Sequence, residues 1–342
     1  MGQFRGMTLA LIAAELTALA AKADPVADFY KGKTVTIQVG TAPGGGYDTT
    51  ARIFAQNFGR HIPGNPNVVV QNVPGSGGMK EANALYNIEP RDGTVLGDFS
   101  ANVILEPLYG NKQARYDSLK FGWIGSMDVD VQACGVWKGA GVGIKTFDDL
   151  VHAKKTVTFG STAPSGGTSL YPLFFKNAFG APVKVINGYK TTKEVLLAMA
   201  RGELDGTCGI TQATSAVDMQ SGNLDVLIHI GMDRHIPIYG KAIAISDVAK
   251  SGELRKIAEL VFNPGLMTRP LATPPGVPQA RVAALRKAFM ENMRDPETAT
   301  VAKQANMALT PMDGEEVERL IVGFMATPRE LVKKAFDYTH KE

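Results

Sequence analysis

The spacing of hydrophobic positions along this chain changes period several times. Residues 34–39, 67–72 and 94–99 are short apolar or β-branched runs of strand length, and the stretches between them, about 47–60 and 78–88, carry apolar side chains at helical spacing. In the first of these stretches Ala51, Phe54, Ala55 and Phe58 form one stripe, as in a helix with a single buried face. Breaks fall where glycine clusters, at Pro74-Gly75-Ser76-Gly77-Gly78 and Arg91-Asp92-Gly93. Strand, helix, strand, helix, strand predicts a parallel sheet with helices against it, and so an α/β fold.

A second α/β unit follows. Residues 123–125 and 131–137 read as strands, 146–153 as a helix, and 156–160 as a strand running into glycine. Helices at about 168–179, 192–201 and 212–221 then alternate with strands at 183–187, 204–210 and 224–230. Beyond Gly231, residues 241–246 and 264–276 are strand and loop, and helices run from there to the end. Asp313 and Glu316 have capping-box spacing ahead of an apolar face of Val317, Leu320, Ile321 and Phe324. These last helices have no sheet of their own, which predicts that they return to cover the first one. The expected division is a discontinuous first domain, 24–122 with 232–342, and a second domain, 123–231.

Residues 1–23 stand apart from this alternation. Arg5 precedes an apolar stretch over 7–21 that closes with Ala21-Lys22-Ala23, the grammar of a secretory signal peptide cut after Ala23; an amphipathic N-terminal helix is the alternative. No other stretch reaches the roughly 18 apolar residues of a membrane span. Composition is that of a globular protein, 342 residues with 44% hydrophobic and 20% charged positions, and a formal charge of +3 asks for no nucleic acid partner. In an exported protein the two cysteines, Cys134 and Cys208, can pair; two unpaired core thiols are the other possibility.

The chemistry gathers at two loops. After the first strand come Ala42, Pro43, Gly44, Gly45, Gly46, Tyr47 and Asp48. A helix start carries unpaired N–H groups and the positive end of a dipole, so glycine there lets an anion approach, with Asp48 expected to cap the first turn. A strand-to-helix turn that uses glycine only for packing fits this loop equally well. The second loop adds hydroxyls, Ser161, Thr162, Ser165 and Thr168, around Gly160, Gly166 and Gly167. Hydroxyls and free amides together suit a carboxylate. Neither loop has the phosphate-loop lysine or the dinucleotide spacing. Ser165 lacks the surroundings of a nucleophile elbow, and the five histidines, His61, His152, His229, His235 and His340, are scattered without metal-ligand spacing. No catalytic pair, metal site or cofactor is expected. Asp205 reads as a turn residue between helix and strand.

Taken in order, Phe29-Tyr30-Lys31-Gly32-Lys33, the loop at 43–48, the run at 70–78, Asp92-Gly93-Thr94, Gly160-Ser161, Gly188-Tyr189-Lys190 and Gly202-Glu203-Leu204-Asp205-Gly206 resemble the receptors of tripartite tricarboxylate transporters, also called Bug solute-binding proteins. The resemblance spans the mature chain. It implies a two-domain periplasmic binding protein of type II, hinged, monomeric and closing around a small carboxylate ligand that it delivers to membrane permease subunits. It further implies that the loops 42–48 and 161–168 hold the ligand carboxylate, with Ser100, Asn102 and Tyr189 bordering the same cleft. The chain departs from the commoner pattern at Tyr47, at Thr162-Ala163-Pro164 and at Thr191, which bears on the ligand's identity. An enzyme acting on an acyl or phosphorylated small molecule, and a solute sensor for a signalling partner, are the rival readings of such a cleft.

Overall fold

The computed structural model describes residues 24–128, 131–231, 237–250, 252–305, 307 and 309–341. The expected leader, 1–23, and His235 lie outside the described residues. The chain opens with α1 (Pro25–Tyr30), β1 (Thr34–Val39), α2 (Gly46–His61), β2 (Asn67–Asn72), α3 (Met79–Asn87), β3 (Val95–Asp98) and β4 (Gly122–Ser126). Next come β5 (Ala133–Trp137), α4 (Phe147–Val151), β6 (Val157–Ser161), α5 (Gly167–Phe179), β7 (Val183–Asn187) and α6 (Thr192–Ala200). They are followed by β8 (Gly206–Ile210), α7 (Gln212–Gln220), β9 (Leu224–His229), β10 (Ile243–Ala244), α8 (Ile245–Val248) and α9 (Gly252–Phe262). The last elements are β11 (Pro270–Thr273), α10 (Gln279–Met293), α11 (Pro296–Gln304), β12 (Met312–Asp313), α12 (Gly314–Met325) and α13 (Arg329–His340).

Two six-stranded sheets result, ordered β2-β1-β3-β11-β4-β12 and β7-β6-β8-β5-β9-β10. β1 runs parallel to β2 and β3, as the alternating pattern predicts, and β6 runs parallel to β7 and β8. In the first sheet the Phe54 ring of α2 meets Phe289 of α10, 5.3 Å between centroids, over a core that includes Ile37, Leu96 and Leu271. Gly97, one residue beyond Leu96, faces Glu81 and Leu85 of α3 on the opposite side. Both faces of this sheet are therefore covered.

The sheets divide the chain differently from the expectation at three places. Residues 122–126 do not begin the second unit: β4 pairs antiparallel with β11 and β12 in the first sheet, so the chain crosses over after Ser126 rather than before Trp123. The return also comes later than residue 232, because β10 still pairs with β9 in the second sheet. Not all the late helices cover the first sheet either. The aromatic face of α5 needs partners, and Phe174 finds Phe262 of α9 at 4.8 Å and Tyr338 of α13 at 5.6 Å between centroids.

The chain therefore crosses between the lobes three times, the last between α12, which packs on β4, and α13, which packs on α5 and α9. The first two crossings are short links, one between Ser126 and Ala133 going out and one at 263–269 coming back. They are bonded to each other: the Met127 N–H donates to the Arg269 carbonyl at 3.0 Å and the Thr268 N–H to the Asp128 carbonyl at 3.2 Å. Beside them the Arg269 guanidinium and the Asp128 carboxylate form an ion pair at 2.7 Å, each side chain almost wholly buried.

Cys134 on β5 and Cys208 on β8 form a disulfide across 74 residues of chain, between adjacent strands of the second sheet. Closing a loop of this length restricts the unfolded chain by about 4 kcal/mol. The double variant Cys134→Ala, Cys208→Ala is expected to lose stability on that order, seen as a lower urea midpoint than the oxidised native protein.

Candidate functional site

The β1–α2 and β6–α5 loops end up facing each other. Between the lobes lies a cavity of about 440 Å³ whose wall includes Ala42, Gly45, Gly46 and Tyr47 from the first loop and Thr162, Gly166 and Thr168 from the second. Ser100, Asn102 and Tyr189 also line it. Further groups on the wall include the run 74–77 after β2, the hinge-side pair Gln132 and Gly209, and Lys190 with Thr191 and Thr192 at the start of α6.

What the two loops present is mainly backbone. The N-caps of α2 and α5 are Gly45 and Gly166, and neither helix has a side-chain cap. The first amides of each helix thus have no acceptor within the helix, and the positive ends of both dipoles point into one space. By contrast α6, which also starts at the cavity, is closed by its own Thr191 hydroxyl, which accepts from the Glu194 N–H. Space at Gly46 is close-fitting: a Cβ there would sit 3.4 Å from both the Arg269 guanidinium and the Thr214 methyl, so a larger side chain would fill the approach to the α2 start.

Four of the expected ligand residues lie behind the wall rather than on it. Asp48 does not cap the turn from the N-cap position; from within the first turn of α2 it accepts from the Gly44 N–H at 2.8 Å, from Asn72 at 2.9 Å and from Arg52 at 2.9 Å, so both Asp48 and Gly44 fix the loop from outside the cavity. Burial would raise the Asp48 carboxyl, but these donors outweigh it and hold the group below its usual range. Ser161 is fully buried, its hydroxyl bonded to the Ala163 carbonyl and to Thr168. Thr168 also accepts from the Thr162 N–H at 3.1 Å, so the hydroxyls of this loop mostly bond one another and set its shape. Ser165 reaches across the cleft instead, donating to the Ser76 carbonyl at 2.8 Å.

That last bond joins the lobes. Ser76 holds a left-handed backbone at φ 48°, unusual for serine, and Gly77 beside it has φ 65°. A Cβ on Gly77 would lie 2.8 Å from the Ser165 hydroxyl, so only glycine fits under the contact. The sequence pattern marks 74–78 as a break between elements; the structure makes it a third wall of the cleft. Gln132 and Gly209 carry no comparable signal, since their place depends on the crossover.

Lys190 is the one charged side chain on the described wall, which holds no Asp, Glu, His or Cys. Among the described residues no group of three His, Cys, Asp or Glu side chains can hold a metal ion. On the wall itself Tyr47 packs near Arg269, 5.8 Å from ring centroid to guanidinium, and burial pushes its phenol well up, so it stays neutral. Asp205 accepts from the Thr158 N–H and hydroxyl, each at 2.7 Å, so its carboxylate ties the start of β6 to the start of β8 across 47 residues of chain rather than closing a local turn.

These features define a two-lobed binding protein, with an anion-receptive cleft where helix starts from both lobes converge. The sequence profile described as "Tripartite tricarboxylate transporter family receptor" matches residues 50–335, and the chain belongs to that family. A curated relative from Agrobacterium vitis, the "UPF0065 protein in the TAR-I ttuE-ttuC' intergenic region", is 28% identical over 194 residues. That match covers 55% of this chain and 54% of the relative, so the chain spans about half the length of the curated relative it matches. Among solved structures, the periplasmic binding protein BugD superposes with a TM-score of 0.69 at 18% identity, covering 90% of this chain and 98% of that one. MatC from Rhodopseudomonas palustris, solved with bound malate, gives a TM-score of 0.67 at 16% identity, covering 88% of this chain and 99% of that one.

Two further carboxyls lie beneath the cleft. Glu81 on α3 and Asp98 at the end of β3 are fully buried, and no oxygen of either has a hydrogen-bond partner among the described residues. Burial drives both well above the usual carboxylate range; Asp98 adds to the effect on Glu81, and Arg269 only partly opposes it at Asp98. The folded state therefore keeps these protons to higher pH than the unfolded chain does. Their contribution to stability is present below about pH 4 and is lost as pH rises through the raised values. Asp98→Asn cannot ionise, so its stability relative to the native protein should rise from about pH 5 to about pH 8 in urea titrations at each pH.

Proposed function

We propose that this protein is an exported periplasmic receptor that captures a small carboxylate-bearing solute and passes it to the membrane permease subunits of a tripartite tricarboxylate-type transporter. The observation that carries this is the pair of glycine-capped helix starts, α2 and α5, that aim unpaired amides into one cavity from opposite lobes. Each contributes roughly half a positive charge, so together they complement about one carboxylate. The leader is cleaved after Ala23, and the mature chain acts as a monomer.

In this reading Gly45, Gly46, Tyr47, Gly166 and Thr168 contact the carboxylate, while Ala42, Ser100, Asn102, Thr162 and Tyr189 shape the space around it. Gly44, Asp48, Ser161 and Ser165 act indirectly, by holding the two loops and by joining the lobes. The carboxylate ligand of MatC is a further support. The links between β4 and β5, ahead of β11, and between α12 and α13 serve as the hinge, and the ligand favours the closed arrangement because only there do both helix starts reach it.

A thermal-shift and calorimetric screen of mono-, di- and tricarboxylates on the mature chain tests this. A binder at a hundred times its dissociation constant should stabilise the fold by about 2.7 kcal/mol and be recovered chemically unchanged. Gly46→Val should abolish that gain; carboxylates that stabilise native and variant alike would place the site elsewhere. Ser165→Ala should speed ligand release by about two- to tenfold in stopped-flow experiments, the worth of one hydrogen bond, and leave the ranking of ligands intact.

A further inference from the structure

Gln132 ends the outgoing hinge segment, one residue before β5, and its side chain lines the cavity. Its backbone is occupied, since the carbonyl accepts from the Ile230 N–H at 2.8 Å. Its side-chain oxygen Oε1 is buried and has no hydrogen-bond partner among the described residues. The position of that oxygen is defined by its neighbours: a Cβ on Gly167 would lie 3.1 Å from it, and one on Gly209 would lie 3.9 Å from it. Oε1 therefore sits on the Cα side of Gly167, the first residue of α5, without bonding to its amides. The positive end of the helix favours oxygen over the amide nitrogen at this spot.

The surroundings do not serve this acceptor. Thr168 is turned to Ser161 and Thr162, and the Tyr171 ring lies under Gly167 with its hydroxyl beside Gly265 and near Asn102. A buried acceptor without a donor costs free energy that a guest can recover by supplying one. Because the acceptor adjoins a carboxylate-receptive helix start, the donor belongs on the part of the guest nearest its carboxylate. A hydroxyl meets this need. An ammonium is disfavoured, because the described wall carries Lys190 and no acidic side chain.

We propose that Gln132 is a specificity-determining residue that accepts a hydrogen bond from a hydroxyl on the carbon next to the bound carboxylate, so that the receptor selects 2-hydroxy carboxylates over their deoxy counterparts. This rests on the proposed capture of a carboxylate in the interlobe cleft. A site with a buried group awaiting a hydroxyl discriminates strongly against analogues that lack it.

Calorimetric titration of matched pairs tests the assignment: lactate with propionate, malate with succinate, and mandelate with phenylacetate, each alongside its 2-amino counterpart. In the native protein the pair that binds should show the hydroxy acid tighter by about tenfold or more. In Gln132→Met, similar in size but without the acceptor, that ratio should collapse toward one. A native ratio near one, a ratio that survives Gln132→Met, or tighter binding of the amino acid would each overturn the assignment while leaving carboxylate capture standing. If no carboxylate of any kind binds the native protein, carboxylate capture itself fails, and the role of Gln132 fails with it.

Discussion

The structure turns on backbone donors left without acceptors. A helix whose N-cap is glycine cannot satisfy its own first amides, and two helices of this kind, α2 and α5, are pointed at each other. Much of the nearby side-chain chemistry serves that arrangement. Asp48 clamps the first loop through Gly44, Asn72 and Arg52, and Thr168 gathers Ser161 and Thr162 in the second. The result is a rigid pair of donor arrays on separate lobes, neither complete without the other.

Charge beneath the cleft is arranged so that little of it competes with those amides. Arg269 is neutralised by Asp128 where the two linking segments meet. Asp98 and Glu81 are driven toward their neutral forms by burial, and Asp48 is matched by Arg52. The wall is then left with helix dipoles, a lysine at Lys190 and uncharged polar groups, an environment that selects for negative guests without fixing their length.

Much of this was legible from residue order, for a physical reason. Local period reports whether a segment is helix or strand, so β1, α2, β2, β6 and α5 fall close to where their apolar spacing puts them. Period says nothing about which sheet a strand joins. Trp123 and Ile124 look like the opening of a new unit, yet their partners are Leu271, Ala272 and their neighbours, far away in the chain. The same limit applied within the site. Glycine loops announce themselves, whereas Ser165 reads as a ligand group until the opposing loop is in place, and Gln132 has no local mark because its surroundings are assembled by the crossover.

The bridge between Cys134 and Cys208 has a mechanical consequence for such a molecule. The outgoing link continues directly into β5, and that strand is tied covalently to β8 and by hydrogen bonds to β9. Torque arriving through the link is thus spread over the middle of the second sheet instead of peeling one strand away. In the proposed hinge motion the lobe would turn as a single plate, and the geometry of the α5 start would be carried through undistorted.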